Sequence, residues 1–127
     1  MNTPAGGVQG GVRMVLRTEG FVVLACAVWL FAHTGTSWWT FALLLFAPDV
    51  ALLGYLAGSR VGGLLYNGLH SYIGPLTLAA AAGGEGLGFA VALIWAAHCG
   101  LDRALGYGLK YASGFGHTHL GPIGRAR

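Results

Sequence analysis

The sequence predicts an all-α integral membrane protein, an antiparallel four-helix bundle with short loops. Composition is the first observation behind this. Of 127 residues, 55% are hydrophobic and 9% charged, with a mean hydropathy of +0.64, whereas a typical soluble domain carries roughly 25% charged residues. Segmentation is the second. Four apolar stretches, residues 18–35, 37–58, 61–82 and 86–106, each approach the ~20 residues that a helix needs to cross a bilayer. The third is the placement of basic residues. With four spans, Arg13, Arg17, Arg60, Arg103, Lys110, Arg125 and Arg127 all fall on one side and no Lys or Arg on the other, which the positive-inside rule makes the cytoplasm.

Residues 1–14 read as a disordered N-terminal tail, beginning with the glycine-rich "NTPAGGVQGG". The first stretch is the weakest, because its uninterrupted apolar run covers only residues 21–32. No small-residue cleavage site followed by a soluble domain comes after it, so it does not read as a cleaved signal peptide. "HTGTS" turns the chain into the second stretch, which contains Pro48. Proline removes a backbone hydrogen bond, so a kink is expected there, with a carbonyl left free near Asp49. "GSR" and "GGEG" are the remaining turns, and residues 15–111 form the four-span bundle. Residues 112–127 are a cytoplasmic tail, of which 112–121 is expected to fold back against the bundle.

Glycines at four-residue spacing, Gly54 with Gly58 and Gly84 with Gly88, suit close approach of helix backbones within one chain or between copies in a homo-oligomer. Cys26 and Cys99 lie in different spans and read as small packing residues rather than a disulfide. The net charge of +3 follows from topology and points to anionic headgroups of membrane lipids. It does not point to nucleic acid, for which there is no patterned basic face.

The chain has four acids. Glu19 and Glu85 fall near the boundaries of the spans and read as solvated. Asp49 falls inside the second span, where a carboxylate costs ~2.5–3.5 kcal/mol and marks a functional candidate. Counting from the cytoplasmic ends, Asp49, His70 and His98 all lie at one depth, roughly 12–14 Å in at 1.5 Å per residue. Asp102 sits one turn from His98 on the same face, and Asn67 one turn from His70. Two imidazoles and two carboxylates at one level form a ligand set for Zn, Mn or Fe. Asp49 or Asp102 would orient or deprotonate a water, with Asn67, Tyr55, Tyr66 or Tyr72 as outer partners and Arg103 or Lys110 meeting an anionic headgroup. The His-x-His pair of the tail, His117 and His119, points both rings one way on an extended segment and suits chelation, with a merely solvated tail as the alternative. The competing reading is a structural network, in which His98 bonds Asp102 within its own helix.

The motifs "SWWTFALLLFAPDVALLGYLAG", "YNGLHSY" and "GLDRALGYGLKY…GFGHTHLG" together closely resemble a bacterial family named as domain of unknown function 4260. The resemblance covers residues 15–125 and implies a small four-span membrane protein with no assigned activity. With the one-sided basic residues, the expectation is a multi-pass protein of the bacterial inner membrane with both termini cytoplasmic. The order Pro-Asp, then His about twenty residues on, then His-x-x-x-Asp, resembles membrane-bound metal-dependent hydrolases allied to zinc-dependent phospholipase C. That likeness implies Asp49, His70, His98 and Asp102 as metal ligands. At His70 this chain reads "LHSY", whereas those proteins carry a richer His-Arg and Thr-His cluster.

The leading expectation is therefore a membrane-embedded metal-binding protein, with hydrolysis of a lipid phosphoester from the cytoplasmic leaflet as its reaction. The alternatives are a proton or ion conductor, or a transporter subunit, using the same carboxylates and histidines as a relay, and a bis-histidine haem protein ligated by His70 and His98.

Overall fold

The computed structural model describes residues 8, 10–110 and 117–122, with only the backbone of 117 and 122. The order is α1 (Gly10–Ala32), α2 (Trp38–Leu44), a 3-10 helix (Ala47–Ala57), α3 (Ser59–His70), α4 (Ile73–Ala81) and α5 (Gly86–Leu105). A two-residue hairpin follows, β1 (His117–Thr118) antiparallel to β2 (Gly121–Pro122), with Thr118 opposite Gly121. The four apolar stretches thus become four helical segments, but the second and third are each broken in two.

Helix α1 begins at Gly10, inside the stretch expected to be a disordered tail. Two arginines explain the extra turns. Arg13 Nε donates to the Leu120 carbonyl and Arg17 Nε to the Ala104 carbonyl at 2.9 Å, so the start of α1 is tied to the hairpin and to the end of α5. The Val8 N–H also donates to the His119 carbonyl at 2.9 Å.

The break in the second stretch follows from Pro48. Its nitrogen carries no hydrogen for the Leu44 carbonyl, so the α-helical ladder cannot continue. Beyond it the chain tightens: the Asp49 N–H donates to the Phe46 carbonyl at 3.0 Å, three residues back, and the 3-10 form then runs to Ala57. Such helices seldom exceed three or four residues. The third stretch breaks at Ser71, which is extended (φ −84°, ψ 151°). Its hydroxyl accepts the Ile73 N–H at 3.1 Å, and Pro75 has no N–H for the Ser71 carbonyl.

Helix α1 runs antiparallel along α5, the 3-10 helix along α3, and α4 along α5. A buried cluster of Phe31, Ala90, Leu93 and Ile94, joined by Phe41, Leu44, Leu45 and Phe89, fills the end away from the hairpin. The closest backbone approaches lie at Gly20 with Gly100 and at Gly54 with Gly62. A methyl group on Gly100 would stand 2.6 Å from the Gly20 carbonyl and 2.8 Å from the Leu24 nitrogen, and one on Gly54 would stand 3.2 Å from the Gly62 Cα. The spacing pairs expected for this task fare unevenly. Gly58 and Gly84 meet nothing within 4 Å and instead turn the chain at φ +110° and +78°.

Two helical segments, Gly10–Ala32 and Trp38–Ala57, are long and apolar enough to cross a membrane. Their side chains are mostly exposed, as are many other large apolar ones: Trp39, Leu43, Leu56, Ile73 and Leu76 stand well out of the core.

Gly100→Ala is expected to lower stability by about 1–3 kcal/mol through overpacking. Gly68→Ala, in α3 with nothing within 4 Å, is expected to be neutral or stabilising by about 0.5–1 kcal/mol. Thermal unfolding of the detergent-solubilised variants checks both.

Candidate metal centre

Asp49 enters from the 3-10 helix, His70 from the last residue of α3, and His98 and Asp102 from α5. One ligand atom from each lies within 4.8 Å of the others. The two Nε2 atoms are 2.9 Å apart. His70 Nε2 lies 3.2 Å from Asp49 Oδ1 and 3.4 Å from Asp102 Oδ2; His98 Nε2 lies 3.3 Å and 3.5 Å from the same two oxygens. Both imidazoles are buried, Asp102 is nearly so, and Asp49 keeps 41% of its side chain exposed.

The backbone sets the His70 tautomer. His70 Nδ1–H donates to the Tyr66 carbonyl at 2.9 Å, which in the neutral ring leaves the Nε2 lone pair facing the centre. His98 Nδ1 is buried with no hydrogen-bond partner, and the Leu45 carbonyl acts on the His98 ring. In an α-helix that carbonyl would take the Asp49 N–H. The 3-10 turn redirects that N–H to Phe46, so the proline break both frees that carbonyl and presents Asp49. Tyr66 supports the centre twice. Its ring stacks on His70 at 3.8 Å and 6°, and its hydroxyl donates to Asp102 Oδ2 at 3.2 Å.

The other residues singled out in the sequence are placed around this core. Asn67 clamps the chain after α5: its Nδ2 donates to the Lys110 carbonyl at 2.7 Å and its Oδ1 accepts the Lys110 N–H at 2.6 Å. The Lys110 ammonium is buried 4.7 Å from the Tyr66 ring centroid. Burial pushes its pKa down to about 8 against the pull of Asp102. His119 accepts the Leu109 N–H on Nδ1 at 2.9 Å and belongs to the hairpin rather than the metal centre. The His117 side chain lies outside the described residues. Arg103 is buried and Nη2 donates to the His70 carbonyl at 3.0 Å. Tyr72 lies beside Arg103, and Tyr55 packs on Gly62.

Sequence reasoning missed a second row on α5. Trp95, Cys99 and Arg103, four residues apart, supply donors to the broken end of α3. Trp95 Nε1 donates to the Leu69 carbonyl at 2.6 Å, and the Cys99 thiol lies 3.6 Å from Leu69 O and 3.8 Å from Ser71 O. Gly74 makes room, since a side chain there would overlap the Trp95 ring. The polar members of this row were visible in the sequence; the carbonyls they serve were not.

Every residue of the centre lies within one family match, which spans residues 13–123 and carries the description domain of unknown function (DUF4260). The chain belongs to that family. No curated protein and no solved structure matches it, so the likeness to membrane-bound hydrolases rests on motif order alone. The DUF4260 match takes in both helix breaks and the α5 row as well as the four clustered side chains.

Tyr66→Phe removes the hydroxyl but keeps the ring on His70. Loss of a supporting hydrogen bond to a ligand typically costs about 10–100-fold in metal affinity. A loss near the lower figure is expected, read by competition with a chromophoric chelator.

Proposed function

We propose that this protein is a membrane-embedded metal-binding protein that holds one divalent cation between Asp49, His70, His98 and Asp102. Donor spacing carries the reading. Ligands about 2.0–2.1 Å from a tetrahedral centre stand about 3.3 Å from one another, and five of the six separations here run from 2.9 to 3.5 Å. Without a cation, the Asp102 carboxylate and two buried imidazoles would crowd against Asp49 largely shielded from water, which is unfavourable. Zinc suits a tetrahedral set of two nitrogens and two oxygens best; manganese and iron accept the same donors with added ligands.

Membrane embedding is supported by the two long apolar segments and by the exposed apolar side chains, which a bilayer would cover. The basic residues favour both termini on the cytoplasmic side. The haem alternative is disfavoured by geometry: trans ligands about 2 Å from iron stand about 4 Å apart with a porphyrin between them, whereas these Nε2 atoms are 2.9 Å apart. Conduction needs binding weak enough to release an ion, and four donors at the spacing of one coordination sphere favour retention.

Uneven exposure favours hydrolysis as the use of the centre. Asp49 keeps 41% of its side chain exposed, so the open side of the coordination sphere lies there, and a zinc site can admit a water as a fifth ligand. A divalent cation there supplies a polarised phosphoryl oxygen and a water of lowered pKa. Asp49, held through Oδ1, has its second, exposed carboxylate oxygen to take up the proton. An apolar cavity of about 270 Å³, lined by Pro48 and Val50 on either side of Asp49 in the chain and by Leu44, Leu69, Ile94 and Trp95, suits the acyl chain of a lipid phosphoester.

Elemental analysis of detergent-purified protein is expected to find one metal ion per chain. Asp49→Ala, His70→Ala, His98→Ala and Asp102→Ala should each lose most of it, with double substitutions adding little. Full metal content in either Asp49→Ala or His98→Ala overturns the shared site. Stripping with a chelator should lower the unfolding temperature, since a ligand at 1,000 times its Kd stabilises by about 4 kcal/mol. Metal-loaded protein that leaves a chromogenic lipid phosphodiester intact would discard hydrolysis and keep the metal.

A further inference from the structure

A second cavity, of about 360 Å³, shares no residue with the metal centre. It lies between α1, the α3–α4 break, α4, α5 and the hairpin, and its polar lining is Glu19, Ser71, Tyr72, Arg103 and His119. Arg103 is only 6% exposed. Its Nη2 serves the His70 carbonyl, but Nη1 is buried with no hydrogen-bond partner. The Tyr72 hydroxyl is likewise buried and unpartnered, with the guanidinium carbon 5.5 Å from the ring centroid. Buried donors without acceptors are rare because each forfeits its hydration. Two at one cavity call for an acceptor from outside the chain.

Their chemistry specifies it. A guanidinium N–H and a phenol O–H suit an oxyanion, and Arg suits phosphate in particular. His119 adds a neutral neighbour. Burial and the charge of Arg103 hold its pKa below the usual histidine range, and with Nδ1 accepting from Leu109 its ring proton sits on Nε2. Glu19 lines the same cavity with no ion pair among the described residues. A bare phosphate there would be repelled by Glu19, whereas a head that also carries an ammonium would be attracted to it. The remaining lining, including Leu16, Ile73 and Leu76, is apolar.

We propose that this cavity binds a phosphate ester bearing an ammonium group, the phosphate accepting from Arg103 Nη1 and the Tyr72 hydroxyl, the ammonium facing Glu19. The apolar lining takes the start of an acyl chain. The site is independent of the metal reading.

The test uses the full chain in detergent, titrated with short-chain phosphatidylethanolamine, with phosphatidylglycerol of equal chain length, and with inorganic phosphate, followed by native mass spectrometry. Saturable binding of the ethanolamine lipid is expected, with phosphatidylglycerol weaker. Tyr72→Phe should weaken it roughly fivefold to tenfold, the effect of one hydrogen bond, and Glu19→Gln should erase the preference between the two lipids. Metal content should not change in either variant. Equal lipid binding by the wild type, Tyr72→Phe and Arg103→Lys overturns the proposal. So does inorganic phosphate that displaces the lipid at equal concentration, which would assign the cavity to the free ion. Arg103 also supports His70 and its variants can fail to fold, but Tyr72→Phe deletes only an unpartnered hydroxyl and keeps the test decisive. Metal-free protein that still binds the lipid would sink the metal reading and leave this one standing.

Discussion

A backbone carbonyl freed inside an apolar bundle has to find a donor, and this fold contains two helix interruptions that free several. In water such groups would be solvated; away from it each one left unpaired costs on the order of a hydrogen bond or more. The break at Ser71 is tolerable because α5 answers it. Trp95, Cys99 and Arg103 reach the carbonyls of Leu69, Ser71 and His70. One uninterrupted helix therefore supports an interrupted segment.

The same arrangement assembles the centre. His98 and Asp102 follow the Trp95–Cys99–Arg103 row by three residues, so this half of the cluster occupies the neighbouring face of α5. His70 is the last residue of α3, and Asp49 enters the first turn of the 3-10 helix. Both lie where the backbone changes form, which brings their side chains to the α5 face. The stability of the breaks and the geometry of the ligands are thus coupled: Arg103 holds the carbonyl of the residue whose imidazole faces the centre, and Tyr66 joins His70 to Asp102.

Polar chemistry is gathered toward one end of the molecule. The opposite end is filled by Phe31, Ile94 and their neighbours. Toward the hairpin, Arg13 and Arg17 tie α1 to Leu120 and Ala104, and Asn67 grips the backbone of Lys110. Leu120 and Thr118 are buried there. Arg103 holds the His70 carbonyl through Nη2 and also lines the second cavity.

Sequence alone determined the helical class, the positions of the turns and the grouping of Asp49, His70, His98 and Asp102. Each follows from short-range rules: apolar run length, turn chemistry, and the rise and period of a helix, which put residues of different segments at one depth. It also located the proline that disrupts the second segment. It also carried the signals of the second break, Ser71 and Pro75 in "LHSYIGP". That stretch reads as one unbroken span until Trp95, Cys99 and Arg103 are seen to serve the carbonyls that the break frees. It did not separate the roles of the polar residues. Asn67 and Arg103 have the residue types and depth expected of site residues, yet they serve backbone groups of distant segments. Which carbonyl a side chain reaches, and which donors remain without one, depends on contacts between α5 and segments some thirty to forty residues away, and only the tertiary structure decides those.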